Sequence, residues 1–503
     1  MDNPGHLIIG AECGVQIGTG HVMRSLALAQ SWKRSGGSVT FLMPEGSPGI
    51  EQRIRSEGLS LEALGPGKFA DAVVSRMLSS KPRSAVLDGY GFGAREQGAL
   101  AREGIAVLTV DDYGHATEYP ARWILNQNVH ARPELYSRRA KTTTLLLGPA
   151  YALLRDEFAP WLGWNRHIPA RGNKVLATIG GSDPDNLSER IIESIARSAP
   201  PDLQLVLVVG SSNPHVQSLR AAIERLPLQV RIAQSTVEMP ALMAWADVGV
   251  SGAGGTAYEL CYMGLPSLLF VIAENQRRVA EHLSESSVAV HAGSACDFNS
   301  QRFSEELFCL LGSQDRRLDM SRRGRVLVNG LGADRVRAAL LNREIQFRLL
   351  REGDCQLLFS WANDPAVRRA SFHSAPVLWS DHERWFSLKL RDPNSVIYIG
   401  ETRSGEVVGQ VRFHLDEEQA TLSVVVAPEF RGAGWGKELV AFSIRMLARA
   451  RAIHRVNAFV RPENLPSIRL FESAGFRRAG TDQIAGQAAL LFTWESGVAA
   501  HVV

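Results

Sequence analysis

The sequence predicts an α/β protein, two doubly wound parallel lobes followed by a smaller α+β domain. Three observations carry this. From residue 7 to about residue 335, short β-branched apolar runs alternate with amphipathic stretches. A polar, proline-bearing stretch interrupts that alternation near its middle, and beyond about residue 345 strand patterns follow one another more closely. At 503 residues the chain also exceeds what one ordinary core fills, so about three lobes are expected.

The runs in the first part are LIIGAE, SVTFLMP, SAVLDGY and IAVLTVDD, then KVLATIGG, LQLVLVVG, DVGVSG and LPSLLFV. Runs this short and apolar suit strands covered on both faces, joined by helices into parallel βαβ units. The break, Ala159–Lys174 (APWLGWNRHIPARGNK), is read as the hinge between two Rossmann-like lobes, residues 1–160 and 161–340. The helix-like RVRAALLNREI closes the second lobe, and Ile345, Phe347 and Leu349 then alternate as a strand. A helix-like segment with Trp361 and the strands VIYIGET, VVGQVRF and ATLSVVVAP follow, which predicts a compact α+β domain over residues 345–495.

Composition narrows the function classes. Apolar residues make up 45% and charged residues 21%, ordinary for a globular protein. A net charge of +3 with no basic tract gives no reason to expect nucleic acid or a membrane surface as partner. Cys13, Cys261, Cys296, Cys309 and Cys355 lie scattered without a CxxC pair, which speaks against a disulfide framework and a structural zinc site. No metal-ligand cluster is evident, so no metal is expected. The N-terminus lacks a basic segment followed by a long apolar one, and stretches such as Leu265–Ala273 are strand-sized. The expectation is a cytoplasmic protein; whether it forms a homo-oligomer is left open.

The sharpest local pattern is VVVAPEFRGAGWGKELVAFSIRMLARA (Val424–Ala450). A strand ends at Ala427-Pro428. Arg431, Gly432, Ala433, Gly434, Trp435, Gly436 and Lys437 then open a helix with Leu439, Phe442 and Met446 on its apolar face. Helix starts leave backbone N–H groups unpaired, and glycines let them approach an anion such as a pyrophosphate. RGAGWG resembles the Arg/Gln-x-x-Gly-x-Gly/Ala signature of the GNAT acyltransferases. NAFVRPENLPSIRLFESAGF (Asn457–Phe476) resembles their second signature, a strand, then Asn-x-x-Ser, then a helix ending in Gly-Phe. The resemblance spans about residues 345–492 and takes in WANDPAVRR (Trp361–Arg369).

That resemblance implies acetyl-CoA as co-substrate, held by Arg431, Gly432, Ala433, Gly434, Gly436 and Lys437. Val424 and Val426 would lie on a splayed strand that pairs with the pantetheine arm, and Asn464 and Ser467 would lie beside it. Where many members carry a tyrosine that protonates the leaving thiolate, this chain has Phe471, which has no proton to give. An attacking amine must shed its proton; no base is fixed by the pattern, and His414 and Glu383 are candidates.

At the other end, IGAECGVQIGTGHVMRSLALAQ (Ile9–Gln30) gives a strand, a loop with Gly14, Gly18 and Gly20, then His21 at a helix start. That is the carboxyl edge of the first strand, where open α/β sheets bind ligands. A helix N-terminus disfavours imidazolium and keeps such a histidine basic. Asp88-Gly89-Tyr90 and Asp111-Asp112 end strands on the same expected edge. The adjacent aspartates point to opposite faces, so they are read as structural or hinge-lining. In the second lobe, GGSDPDN (Gly180–Asn186) and SGAGGTAYEL (Ser251–Leu260) each follow a strand, and two such turns facing one cleft could hold a diphosphate. Glu259 lies just inside the second helix, where it could accept both ribose hydroxyls of a nucleotide.

GxGHVMRSLALA, DGY, DDY, LNQN (Leu125–Asn128), LLLGPAYALLRDEF (Leu145–Phe158), GGSDPDN, SGAGGTAYEL, GLPSLLF and AENQ (Ala273–Gln276) together resemble the UDP-sugar hydrolases of the pseudaminic acid pathway. Those are relatives of GT-B glycosyltransferases. Ala11-Glu12-Cys13 departs from the Arg-x-Asp often found there after the first strand. The resemblance implies hydrolysis of UDP-2,4-diacetamido-2,4,6-trideoxy-β-L-altrose with inversion, His21 acting as general base and Tyr90 and Asn275 positioning sugar or water. Substrate contacts are expected at Gly18, Gly20, Arg24, Gly180, Gly181, Ser182, Gly254, Gly255, Thr256, Glu259 and Gln276. The GNAT domain would supply the preceding step, acetylating the 4-amino group of a UDP-linked amino sugar. A glycosyltransferase, a GNAT domain acting on a protein amine, and a nucleotide-sugar sensor without turnover are the alternatives.

Overall fold

The computed structural model describes residues 4–14, 18–65, 67–210, 213–234, 238–451 and 453–496. Val15, Gln16 and Ile17 of the predicted glycine loop lie outside the described residues. The first lobe is a parallel sheet of β1 (His6–Ala11), β2 (Ser38–Pro44), β3 (Ser60–Leu64), β4 (Ser84–Asp88), β5 (Ala106–Val110), β6 (Trp123–Asn126) and β7 (Thr144–Leu147). Its order is β3-β2-β1-β4-β5-β6-β7, so the order reverses between β1 and β4. The second lobe holds β8 (Lys174–Thr178), β9 (Gln204–Val209), β10 (Val230–Gln234), β11 (Val248–Gly252), β12 (Ser267–Val271) and β13 (Val290–Ser294). It is parallel as well, in the order β10-β9-β8-β11-β12-β13, with its reversal between β8 and β11. Such reversals open crevices at the carboxyl ends of strands. The central strands are apolar on both faces because helices cover both, and β4, β11 and β12 are buried throughout.

The third domain is a mixed sheet of β14 (Gln346–Leu349), β15 (Ser395–Glu401), β16 (Val407–Asp416), β17 (Gln419–Val426), β18 (Arg455–Val460), β19 (Arg477–Ile484) and β20 (Gln487–Glu495). Its order is β14-β15-β16-β17-β18-β20-β19. β17 and β18 pair in parallel only from Gln419 to Thr421, against Arg455 to Asn457. Beyond that the two strands part, leaving one edge of Leu422–Val426 open while β16 pairs with the other.

Residues 161–340, predicted as the second lobe, do not all pack there. The helix Gly332–Leu340 crosses back to the first lobe, and Ala333, Val336, Ala339 and Leu340 enter that lobe's core beside Leu26, Ala29 and Leu153. These four residues form one apolar stripe, covered by the first helix (Gly20–Arg34) and by the turn at Tyr151–Leu153. Its opposite side meets the third domain, where Ala338 and Leu331 pack on Phe442 with Phe347 and Met446. Polar contacts surround that seam. Arg337 Nη2 donates to Glu438 Oε2 at 2.6 Å, and Asp334 accepts from Ser31 Oγ at 2.6 Å and from Arg337 Nη1 at 3.0 Å. Arg34 and Arg445 also pair with Asp334. Among the described residues, no helix is long and apolar enough to cross a membrane.

Candidate active sites

In the cleft between the two lobes, residues from both switch points converge. His21 is the second residue of the first helix, whose start has no side-chain cap, so backbone N–H groups there stay open to the cleft. Its ring is buried and meets the Tyr90 ring edge-on, with centroids 5.0 Å apart. Tyr90 donates its hydroxyl to Asp112 Oδ2 at 3.0 Å and accepts from Asn275 Nδ2 at 2.8 Å, the latter across the cleft. All three predicted catalytic residues are thus in one place.

Burial pushes the His21 imidazole below its ordinary value; Asp88 pulls the other way and Arg24 reinforces the lowering. The Nδ1 of His21 is buried and without a hydrogen-bond partner among the described residues. Burial, reinforced by the Asp112 charge, raises the Tyr90 phenol far above its usual range, so it stays protonated. Burial alone would raise Asp112, but the Arg24 charge and hydrogen bonds win and hold it well below the carboxylate range.

Arg24, predicted to contact substrate, is instead committed to the floor of the site. Its Nε and Nη2 donate to Asp88 at 2.6–3.2 Å, and Nη1 donates to Asp112 at 2.7 Å. Two carboxylates consume the guanidinium, so Arg24 positions Asp112 and through it Tyr90. The aspartate pair splits in role. Asp111 accepts from the backbone N–H groups of Tyr113 and Gly114 and holds its own turn, as expected. Asp112 belongs to the site, and its structural reading is corrected.

The sequence also missed Glu12, which follows β1. Its carboxylate accepts from the N–H groups of Tyr90 at 2.8 Å and Gly91 at 3.0 Å, fixing the turn that carries Tyr90. A side chain on Gly89 would stand 2.5 Å from Glu12, so the glycine of DGY is there to admit this carboxylate. The departure Ala11-Glu12-Cys13 is therefore where the first strand's own anchor sits.

The anion-cradle turns differ from each other. At Gly254 the helix Gly255–Tyr262 starts at once and without a side-chain cap, leaving N–H groups at Gly255 and Thr256 open. Gln276 lies under this turn, its Oε1 accepting from Ile272 N–H at 3.2 Å, so it props the turn up. After Gly180, Gly181 and Ser182, by contrast, the helix Leu187–Ser198 is already capped. Asp183 accepts from Leu187 and Ser188 N–H at 2.8 and 3.0 Å. The expectation of a second open helix start is corrected: only the Gly180–Ser182 backbone remains for a ligand. That backbone faces the first lobe, since a side chain on Gly181 would stand 2.6 Å from Thr19 Oγ1, next to Gly18 and Gly20. Glu259 pairs with Arg155 Nη2 at 2.8 Å; burial raises its carboxyl while Arg155 opposes the rise.

In the third domain, Gly432 and Gly434 both take φ near 81°, and with Arg431 and Ala433 they lie exposed at the start of the helix Trp435–Ala450. Their positive φ is a conformation that glycine adopts without strain, and the loop follows β17, on which Val424 and Val426 lie. Gly436 packs under the loop, where an added Cβ would meet Val426 and Leu470 at 3.2 Å. Arg431 Nε donates to Val426 O at 3.0 Å and Nη1 pairs with Asp364, bracing the loop.

The structure also places three of the residues expected at the coenzyme. The Lys437 side chain is half-buried and feels the charges of Arg337, Glu438, Arg34 and Arg343. Asn464 Oδ1 accepts from Ser467 N–H at 3.2 Å and caps the helix Leu465–Ser473, leaving its amide N–H group for other partners. Phe471 is 4% exposed and packs on Phe476 and Phe492, so it is a core residue. His414 and Glu383 are both exposed.

The acetyltransferase (GNAT) domain model matches residues 344–477, and the glycosyltransferase family 28 C-terminal domain model matches residues 175–307. An uncharacterized protein of Methanocaldococcus jannaschii is 20% identical over 94% of this chain and 96% of its own length. A Campylobacter jejuni protein named UDP-2,4-diacetamido-2,4,6-trideoxy-beta-L-altropyranose hydrolase is 23% identical over 56% of this chain and 98% of its own. The Acinetobacter baumannii MurG structure superposes with a TM-score of 0.50 and 16% identity, covering 67% of this chain and 99% of that one, a likeness of fold. The chain joins a two-lobed unit of GT-B-like fold, similar to the altropyranose hydrolases and to glycosyltransferases, to a domain that matches the GNAT acetyltransferase model.

Proposed function

We propose that this chain carries out two consecutive steps on a UDP-linked amino sugar. The GNAT domain acetylates the 4-amino group of UDP-4-amino-4,6-dideoxy-N-acetyl-β-L-altrosamine. The two-lobed unit then cleaves UDP from the UDP-2,4-diacetamido-2,4,6-trideoxy-β-L-altrose so formed, with inversion. The observation that carries the second step is the His21 ring, edge-on to Tyr90 beside the Tyr90–Asn275 bond that spans the cleft, with burial holding its imidazole below the ordinary value.

In this reading His21 accepts a proton from water as the water oxygen bonds to the anomeric carbon. The bond from that carbon to the diphosphate oxygen breaks, and UDP leaves with the electron pair. Open N–H groups at Gly255 and Thr256 meet the developing negative charge. The Tyr90 hydroxyl donates to Asp112 and accepts from Asn275, which leaves it one lone pair to orient the water. In the GNAT domain, acetyl-CoA would supply the acyl group as a reactive thioester. The glycine loop and the open edge of β17 suit its pyrophosphate and its peptide-like arm. A backbone N–H on that edge would polarise the carbonyl, and the thiolate would take its proton from a group other than Phe471.

The kinship with family 28 supports one other reading, transfer of the sugar to an acceptor. Full-length protein with acetyl-CoA and the 4-amino UDP-sugar, followed by NMR and mass spectrometry, separates the two. Free thiol followed by UDP and the diacetamido sugar supports hydrolysis. Acetylation with UDP retained until an acceptor is added supports transfer, and no acetylation overturns the substrate assignment.

A further inference from the structure

The turn after β5 carries an aromatic ring that neither proposed reaction uses. Tyr113 is 44% exposed. Its ring centroid lies 5.4 Å from that of Tyr90 and 6.0 Å from that of His115, and the His115 ring meets Tyr90 edge-on at 5.7 Å. Tyr90 thus touches His21, Tyr113 and His115 in turn. Its hydroxyl accepts from Asn275 of the second lobe, so the exposed Tyr113 ring stands beside the cleft, on the first lobe's side.

The turn that presents Tyr113 is braced from within. Asp111 is buried, and its Oδ1 accepts from the N–H groups of Tyr113 at 2.7 Å and Gly114 at 2.6 Å. Its Oδ2 lies 2.7 Å from His115 Nδ1 and accepts from the Tyr119 hydroxyl. Gly114 takes φ near 81°, and a Cβ there would stand 2.9 Å from Leu135 O, so the turn is pressed onto the short helix Pro133–Tyr136. The core beneath is filled by Tyr119, Ile124 and Tyr136, without Tyr113. Partial burial, reinforced by the charges of Asp111 and Asp112, holds the Tyr113 phenol above its ordinary value, so the ring is uncharged at neutral pH.

A ring held this way has little freedom left to lose when a ligand packs on it. The electron-rich face of an aromatic ring attracts the weakly positive hydrogens of C–H groups, which makes a methyl group a matching surface. The nucleotide's anchors lie on the other side, since the open N–H groups at Gly255 and Thr256 belong to the second lobe. What stands within reach of both Tyr90 and Tyr113 is therefore the sugar. The diacetamido sugar offers a methyl at C6 and acetyl methyls at C2 and C4.

We infer that Tyr113, backed by His115, determines sugar specificity in the two-lobed unit, its ring taking a methyl or acetamido methyl of the sugar while His21 faces the anomeric carbon. The identity of that sugar rests on the proposed hydrolytic reading; the position of the ring does not.

The test is calorimetric titration of full-length His21→Ala, in which the sugar nucleotide survives, with UDP-2,4-diacetamido-2,4,6-trideoxy-β-L-altrose and separately with UDP. Adding Tyr113→Ala should weaken the sugar nucleotide roughly three- to tenfold and leave UDP unchanged, which also reports an intact fold. Tyr113→Phe keeps the ring face and should bind both as the parent does. With His21 restored, Tyr113→Ala should raise KM for the sugar nucleotide by a similar factor. Equal affinity of parent and Tyr113→Ala for the sugar nucleotide would overturn the assignment. So would a matching loss for UDP, which would put the ring on the nucleotide, or an equal loss in Tyr113→Phe, which would put the effect on the hydroxyl. A wild type that binds the sugar nucleotide yet releases no UDP would sink the hydrolytic reading alone, and the affinity comparison would still decide the role of Tyr113.

Discussion

Asn275 of the second lobe donates a hydrogen bond to the Tyr90 hydroxyl of the first at 2.8 Å, so the residues assigned to one reaction also hold the cleft closed. The pair should behave as a unit. Tyr90→Phe and Asn275→Ala should each slow UDP release, and the double variant should lose less than the sum of the two. A double-mutant cycle on UDP release should give a coupling of about 0.5–3 kcal/mol; additive losses would separate the residues. Acetyl transfer should be unchanged in all three variants.

His21 should set the acid limb of the hydrolytic step. Its folded pKa lies below 6.5, so UDP release should rise with pH and level off beneath that value. His21→Ala should lower the rate by about a hundredfold or more. The same shift bears on stability. Between the folded and unfolded values the unfolded chain binds more protons, so stability rises with pH across that window and is lost as pH falls from 6.5. Urea unfolding of His21→Ala should show a weaker pH dependence there than the wild type, and an unchanged dependence would remove His21 from the account.

Gly434 has φ near 81° and a neighbour, Arg343 Nη1, 2.7 Å from where a Cβ would stand. Gly434→Ala should cost about 1–2 kcal/mol of local strain and raise KM for acetyl-CoA. UDP release from a pre-acetylated substrate should continue at the wild-type rate. An unaltered KM would mean that the loop does not carry the coenzyme.

Arg337 and Glu438 face each other in a buried seam at 2.6 Å. Removing the cation strands the carboxylate, at a cost of about 3–5 kcal/mol. Arg337→Ala should therefore lower the melting temperature of the whole chain and impair both activities together, as measured by calorimetry and the two assays. Loss of acetyl transfer alone would show that the units melt independently.

Much of this was legible in the sequence, for identifiable reasons. All eight runs marked as strands in the two lobes are strands, because central strands covered on both faces must be apolar throughout. The peripheral β3, β10 and β13 escaped, being half-exposed and without such a run. β6 and β7 escaped because four residues are too few to show a period. His21, Tyr90 and the glycine turns were visible because each follows a strand end. The roles of Arg24, Asp112 and Glu12 were not. They depend on β1, β4 and β5 lying side by side, a relationship between residues up to 88 positions apart that local pattern does not encode. The crossing helix was misassigned for a related reason: its stripe shows that something covers it, without showing which lobe does.

That helix also changes what the fusion means. Where two enzymes hang on a flexible string, the string's length sets how often a product released by one meets the other. Here the separation of the two parts is set by packed side chains on one helix, Ala333 beside Leu26 and Ala29 and Ala338 beside Phe442. Inserting residues at Asn342 should leave that separation as it is. Cutting the chain there should expose an oily scar on each half.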